Sequence, residues 1–304
     1  MSSYFDNKEL FTGPKVNQYG SHMVMTNVTR TSKIKYVNID TKFRDEYNYD
    51  FTTDYNITLP QRINNVLNIS VTNIEIPHTF YNISENLGNN AMKITSNGTV
   101  VNLVVRDGNY TEASLVTELN TTINSLLTPP PNKLTFDISY NKITISPSNG
   151  TVYDLDFAVD SSGNFVKYNF KSRLGWLLGF RNQKYTGITS NITSEFLCNL
   201  TGPRYLYLVV DEFTNNGSQS SFIAPLPSSL LAKNILARIV IDNTLYPFMS
   251  VIPACMDCQL ITDIRSYAGK VDIQKLNVQL VNENGIPMNL NGADFSLCLK
   301  IEHE

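Results

Sequence analysis

The chain has 304 residues, a formal net charge of −3 and only 17% charged residues, against roughly 25% in an average soluble domain. That length suffices for one large β domain or two ordinary ones. The absence of a basic block argues against a broad electrostatic footprint for nucleic acid, and the absence of any run of about 18 apolar residues argues against a membrane-spanning helix.

Asparagine supplies 36 residues, so the surface is largely neutral and polar. Such a surface can touch many neighbours without desolvating charge; AT-rich codon bias gives the same composition. The opening MSSYFDNKEL lacks the apolar core of a signal peptide, which predicts a protein made and kept in the cytosol. On that expectation most of the eleven Asn-x-Ser/Thr sequons, Asn56, Asn97, Asn109, Asn199 and Asn216 among them, are unmodified.

Residues 1–33 carry Gly13-Pro14, Ser, Thr and Asn without a sustained period. They read as an extended N-terminal arm, either loose or ordered against neighbouring subunits. Strand patterning then begins. Ile34 and Tyr36 alternate with Lys33 and Lys35, and Val37 and Ile39 follow on the other phase. Tyr55, Ile57 and Leu59 alternate with polar residues, and Pro60 is expected to stop that strand. Leu67, Ile69 and Val71 share one phase and Ile74 and Ile76 the other, which predicts a β-bulge near Thr72-Asn73.

Asn97-Gly98, between Met92–Ser96 and Thr99–Val105, predicts a hairpin through a type I′ turn. Thr111 to Leu127 is the one long helix pattern. Leu115, Val116, Leu119, Ile123, Leu126 and Leu127 lie on one face, Thr111 is the N-cap, and Pro129-Pro130-Pro131 prevents continuation. Leu134–Ser139 and Lys142–Ser146 form a second hairpin about Tyr140-Asn141, and Thr151–Val159 is a further strand. Ser172 to Phe180 reads as a short helix with Gly179 near its end and Trp176 anchored into the sheet.

Strand signals return at Arg204–Val210, with both faces buried, then at Ile235–Ile241, Leu245–Ile252, Gln259–Ile264 and Val271–Val281, with Thr214–Ser221 a loop. In the last strand Phe295, Leu297, Leu299 and Ile301 alternate with Ser296, Cys298 and Lys300. Outside 82–200 the strands read as 34–40, 55–60, 66–77, 204–210, 235–241, 257–264, 272–281 and 294–302. Eight is the strand number of a two-sheet jelly roll. The chain is therefore expected to be mainly β: an eight-stranded two-sheet jelly roll, residues 34–81 and 201–304, interrupted by an inserted α+β block, 82–200. The competing arrangement is two consecutive β-rich domains meeting near Ser161–Asn164.

Chemistry is sparse. His-Glu-x-x-His, Walker, Gly-x-Ser-x-Gly and Gly-x-Gly-x-x-Gly motifs are all missing. Cys255 and Cys258 make a solitary CxxC, and His22, His78 and His303 are distant in sequence from it, so buried or loop thiols are favoured over metal or redox use. Asp40, Asp45 and Glu46 fall at a strand end and loop as solvated charges. No residue is put forward as catalytic, cofactor-binding or metal-ligating, and no cofactor is expected.

The segments Val37-Asn-Ile-Asp-Thr-Lys-Phe-Arg-Asp45, Tyr55-Asn-Ile-Thr-Leu-Pro60 and Ile74-Glu-Ile-Pro-His-Thr-Phe-Tyr81 fall in a defined order. They are followed by Gly108-Asn-Tyr-Thr111, Leu177-Leu-Gly-Phe180, Leu276-Asn-Val-Gln-Leu-Val-Asn-Glu-Asn-Gly285 and Asn291-Gly-Ala-Asp-Phe-Ser-Leu297. In order and spacing this resembles minor capsid and penton-type (vertex) jelly-roll virion proteins of giant eukaryotic DNA viruses and allied virophages, over nearly everything after residue 33. The resemblance implies a structural, non-enzymatic component of an icosahedral shell, located in the virion capsid and assembled in the host cytoplasm. Its implied partners are further copies of itself (a pentamer at a vertex), the major capsid protein and other minor capsid proteins, with no nucleic acid and no direct membrane span. The alternative is a lectin-like attachment or binding module on the virion surface, with Tyr246, Phe248 and loop 214–221 as its candidate contacts.

Overall fold

The computed structural model describes residues 31–45, 52–127, 134–148, 150–167, 169–213, 222, 234–256 and 258–304. The predicted arm, Glu46, the proline run and loop 214–221 lie essentially outside them. The fold is mainly β. Its largest unit is an eight-stranded antiparallel sheet built from the two ends of the chain. Its path runs β1 (Lys33–Asp40), β15 (Ser296–His303), β2 (Asp54–Pro77), β14 (Arg265–Val281), β10 (Tyr205–Asp211), β11 (Ile235–Val240) and β13 (Leu260–Thr262). An eighth strand, β12 (Val251–Cys255), pairs with the far end of β2.

This sheet curls over a shared core. The first part of β2, Asp54–Thr58, pairs with Lys275–Gln279 of β14, whereas its second part, Val66–Glu75, pairs with β15. Side chains from both parts join one buried cluster: Tyr55, Ile57, Leu276 and Val278 from one layer, Ile69, Ile74, Leu297 and Leu299 from the other. Several strands away along the path, β11 and β13 come back against β2. The result is a jelly-roll-like sandwich in which hydrogen bonding is continuous between layers.

The chain achieves the turn with bulges. Ile74 pairs with Leu297 and Asn73 with Cys298, but Leu299 faces Val71, so Thr72 is the extra residue. Its hydroxyl donates to the Cys298 carbonyl at 3.1 Å. The bulge keeps Val71 and Ile74 both buried although their phases oppose. Further register shifts fall around residues 59–65, where Asn65 has φ 55°. There Asp272 accepts from Arg62 (2.7 Å) and the Asn65 amide (2.9 Å).

The layers are also tied by a buried ion pair. Arg265, at the start of β14 opposite Ile69, donates to Glu212 (2.6 Å) and to the Val210 carbonyl (2.7 Å) just beyond and within β10. Its other nitrogen donates to the Asn234 carbonyl, and the Tyr267 hydroxyl donates to Glu212 at 2.8 Å. Both terminal guanidinium nitrogens and the carboxylate oxygen Oε1 thus gain partners, as an ionic group under a sheet requires.

Residues 83–198 supply a second buried cluster. A four-stranded sheet runs β4 (Thr99–Val104), β3 (Ala91–Ser96), β7 (Tyr153–Asp156), β8 (Lys184–Ile188); a three-stranded one runs β5 (Leu134–Ser139), β6 (Lys142–Pro147), β9 (Ile192–Thr193). Helix α1 (Glu112–Leu126) packs on β5 and β4 through Leu115, Leu119 and Ile123. Thr111 caps it, sharing a reciprocal capping box with Ser114. Asn97 (φ 47°) and Gly98 (φ 79°) make the predicted turn; Tyr140 (φ 51°) and Asn141 (φ 58°) turn the second hairpin. In helix α2 (Leu174–Leu177) the chain ends its turn at Gly179, φ 97°, where a Cβ would meet the Phe196 carbonyl oxygen at 2.1 Å.

Several expectations are corrected. Pro60 does not stop β2: it falls in the register shift between Ile63 and Thr58, where no ladder bond from its nitrogen is needed. The two predicted strands 55–60 and 66–77 are therefore one. Residues 242–250 are turns rather than strand, and the strand there is β12. Strand β14 begins at Arg265, ahead of the expected start. Leu126 is exposed at the edge of the α1 stripe. Trp176 is half-buried beside Phe170 and Arg181, and Leu174, Leu178 and Phe180 are the anchors instead. The eight strands make the expected two-layered sandwich, with the layers hydrogen-bonded into one path because β2 and β14 are long enough to serve both.

Candidate functional site

The chain leaves the large sheet near Tyr81 and returns near Tyr205, and Asn82 clamps the two crossings. Its amide donates to the Tyr110 carbonyl (2.8 Å) and the Leu200 carbonyl (3.0 Å), and its oxygen accepts the Tyr110 amide at 2.9 Å. Asn89 in turn donates to the Asn82 carbonyl at 2.8 Å. Asn82 is buried and fully engaged, so this sequon is a structural joint.

Beside this clamp lies a cleft of about 810 Å³, walled by residues of both buried clusters' surroundings. One wall is the α2 region, with Phe170, Trp176 and Arg181. The Arg181 guanidinium lies 3.9 Å over the Trp176 ring and 4.4 Å from the Phe196 ring, and it donates to the carbonyls of Trp176 and Phe180. The opposite wall is Arg204, Tyr205 and the turn after β14. In that turn Asn282 accepts the amides of Asn284 (2.9 Å) and Ile286 (3.0 Å), which fixes Glu283 at the cleft.

The Glu283 oxygen Oε2 is buried and accepts no hydrogen bond from the protein. Burial pushes its carboxyl above the ordinary glutamate value, with backbone bonding and nearby Arg204 pulling the other way. Sequence reading found the Asn282–Gly285 turn and the Leu177–Phe180 segment but not that they face each other. Their side chains are a hundred residues apart, and only the clamp at Asn82 brings them together.

The polar groups singled out in the sequence make local structural bonds. Asp40 caps Lys42, and Asp45 accepts the Thr58 hydroxyl at 2.7 Å. Cys198 is buried, its thiol pushed up to about 12 by desolvation, and Cys258 closes a turn by donating its amide to the Cys255 carbonyl. Among the described residues no group of three or more His, Cys, Asp and Glu is placed to hold a metal ion, and no helix is long and apolar enough to cross a membrane. Of the candidate attachment aromatics, Phe248 stacks on Tyr81 with ring centroids 6.0 Å apart, and Tyr246 is partly buried against the main apolar cluster.

Large apolar side chains reach solvent at both ends of the curled sheet. Among the described residues β1 pairs only with β15, and β13 only with β11. On β1, Ile34 and Tyr36 are 51% and 66% exposed while Ile39 is buried. Around β12 and β13, Val251, Met256, Ile261 and Ile264 are exposed, as are Leu245 and Met249 in the preceding turns.

Fold and site together define a mainly β, jelly-roll-like protein with apolar strand edges and a polar cleft at the joint between two hydrophobic clusters. No protein-family model and no curated protein matches it. Among solved structures it is similar to the crystal structure of the selenomethionine-labelled mavirus penton protein, at 10% identity and a TM-score of 0.44, over 90% of this chain and 100% of that one. It is also similar to a chain of the 3.5 Å cryo-electron microscopy structure of the Sputnik virophage, at 17% identity and a TM-score of 0.40, over 89% of this chain and 98% of that one.

Proposed function

We propose that this chain is a structural virion protein, a penton-type or minor capsid component that assembles with neighbouring subunits in an icosahedral shell. In this reading residues 34–81 and 201–304 are the shell-forming body and 82–200 is an inserted block carried on it. The ordered motif segments after residue 33 support the family resemblance, and their place in a curled β sandwich fits it. The observation that carries the assembly claim is the pair of terminal strands, β1 and β13, each with exposed apolar side chains.

Exposed strand edges are normally blunted, because they template pairing with another chain. Two different edges on one molecule suit a heterologous contact, in which one edge of each copy meets the other edge of the next. Such contacts close into rings when the rotation permits. The sparse surface charge lowers the desolvation cost of burying that surface.

Mass photometry of the purified full chain tests this. A discrete oligomer is expected, and Ile34→Asp with Tyr36→Asp, or Ile261→Asp with Ile264→Asp, should each shift it to monomer. A monomer at every concentration, or an oligomer indifferent to both edges, contradicts the proposal.

A further inference from the structure

We infer that the cleft beside Asn82 is a binding site for a neutral saccharide. The inference stands apart from shell assembly, since it uses none of the edge residues. The cleft's volume of about 810 Å³ falls within the roughly 300–1,000 Å³ usual for ligand sites. Its lining is neither an apolar groove nor a charged funnel. Planar amides of Asn169, Asn199 and Asn284 share it with the rings of Trp176 and Tyr205.

Both rings carry cations over them: Arg181 at 3.9 Å and Lys171 at 5.8 Å over Trp176, and Arg238 at 4.2 Å over Tyr205. Their positions are thereby fixed before any ligand arrives, which lowers the ordering cost of binding. The decisive atom is Glu283 Oε2. A buried carboxylate oxygen without a donor is expensive to keep, and native proteins rarely keep one without a use.

The ligand class follows by matching each group. Glu283 requires an O–H or N–H donor. The Asn199 oxygen already accepts from the Thr201 amide and hydroxyl, so its amide nitrogen requires an acceptor, while the amides of Asn169 and Asn284 suit a partner that both donates and accepts. Arg204 and Lys171, also at the cleft, require acceptors. The rings require an apolar C–H face. A sugar ring presents hydroxyls that donate and accept around its rim and C–H groups on its faces. An inorganic anion lacks the apolar face and would bring its charge against the Glu283 carboxylate; a purely apolar ligand would leave Glu283 unpaired. The turn Asn282–Gly285 then has a role beyond reversing the chain: Asn282 spends its oxygen on the turn amides so that Glu283 is presented to the cleft.

Saturation-transfer NMR on the full-length protein tests the site, with lactose, maltotriose and chitotriose as neutral probes at millimolar concentration. Inorganic phosphate and an oligoglutamate peptide serve as anionic probes. At least one neutral sugar should bind. Glu283→Leu should weaken it by about tenfold or more, as expected for losing a hydrogen bond to a charged group. Asn284→Ala, one residue further along the same turn, gives a second variant should Glu283→Leu misfold, and it should weaken the same sugar. Binding of none of the sugars, binding of only the phosphate or the peptide, or sugar binding that survives both substitutions in folded protein overturns the inference. Neither substitution should change the oligomer mass, so failure here is distinguishable from failure of the shell reading.

Discussion

At the scale of single residues, buried Glu212 and half-buried Glu283 behave oppositely. Glu212 is satisfied by Arg265 and Tyr267 between the layers, whereas Glu283 Oε2 has no partner in the protein. Removing one member of a buried pair leaves an uncompensated charge, so Glu212→Ala should cost about 3–5 kcal/mol in urea unfolding. The double change Glu212→Leu with Arg265→Met removes both charges and should recover most of that loss. For Glu283 the sign reverses. Burial raises its pKa in the folded chain, so the fold binds its proton more tightly than the unfolded chain does. Stability from this group is therefore lost as pH rises from the ordinary glutamate value through the raised one. Glu283→Gln should melt higher than wild type at neutral pH, and the gap should close as the pH falls into the ordinary glutamate range. Neither acid stood out in the sequence, because burial and partnership at 212 and 283 depend on strands far away in the chain.

At the scale of elements, what could be read from sequence was local. Asn97-Gly98 announced its turn because few residues accept positive φ twice, and Thr111 announced the helix start because its side chain caps the next turn. The bulge at Thr72 was legible too, since a period of two cannot change phase without an extra residue. Deleting Thr72 should turn Ile74 and Ile76 outward, losing about 1.5–3 kcal/mol for each buried side chain, and the loss should show as a collapsed melting transition. What could not be read was non-local. Pro60 looks like a stop in any linear reading, and only the register shift opposite it lets β2 continue. The start of β14 at Arg265 was hidden because residues 265–270 carry little alternation, and only Arg265 and Ser266 among them pair with β2, opposite Ile69 and Asn68. Trp176 looked like a core anchor from its size alone, yet the smaller Leu174 and Leu178 fill the core beneath it.

At the scale of the whole molecule, strands from both ends of the chain meet in one sheet, and the segment between them builds its own buried cluster. The strand count of eight survived, although two expected strands fused and a new one, β12, took the open place. The cleft at the joint was invisible in the sequence because its walls come from segments around 82, 176, 204 and 283. An assembly role makes a prediction here that the isolated chain does not: the exposed apolar residues of β1 and β13 should be buried in particles and in the assembled oligomer, and accessible in dissociated monomer. Cryo-electron microscopy of particles purified from cells producing this chain decides whether it is a shell protein. Density for the curled eight-stranded body is expected within the icosahedral shell, with β1 or β13 against a neighbouring subunit; shells complete without this chain would show that it is not one.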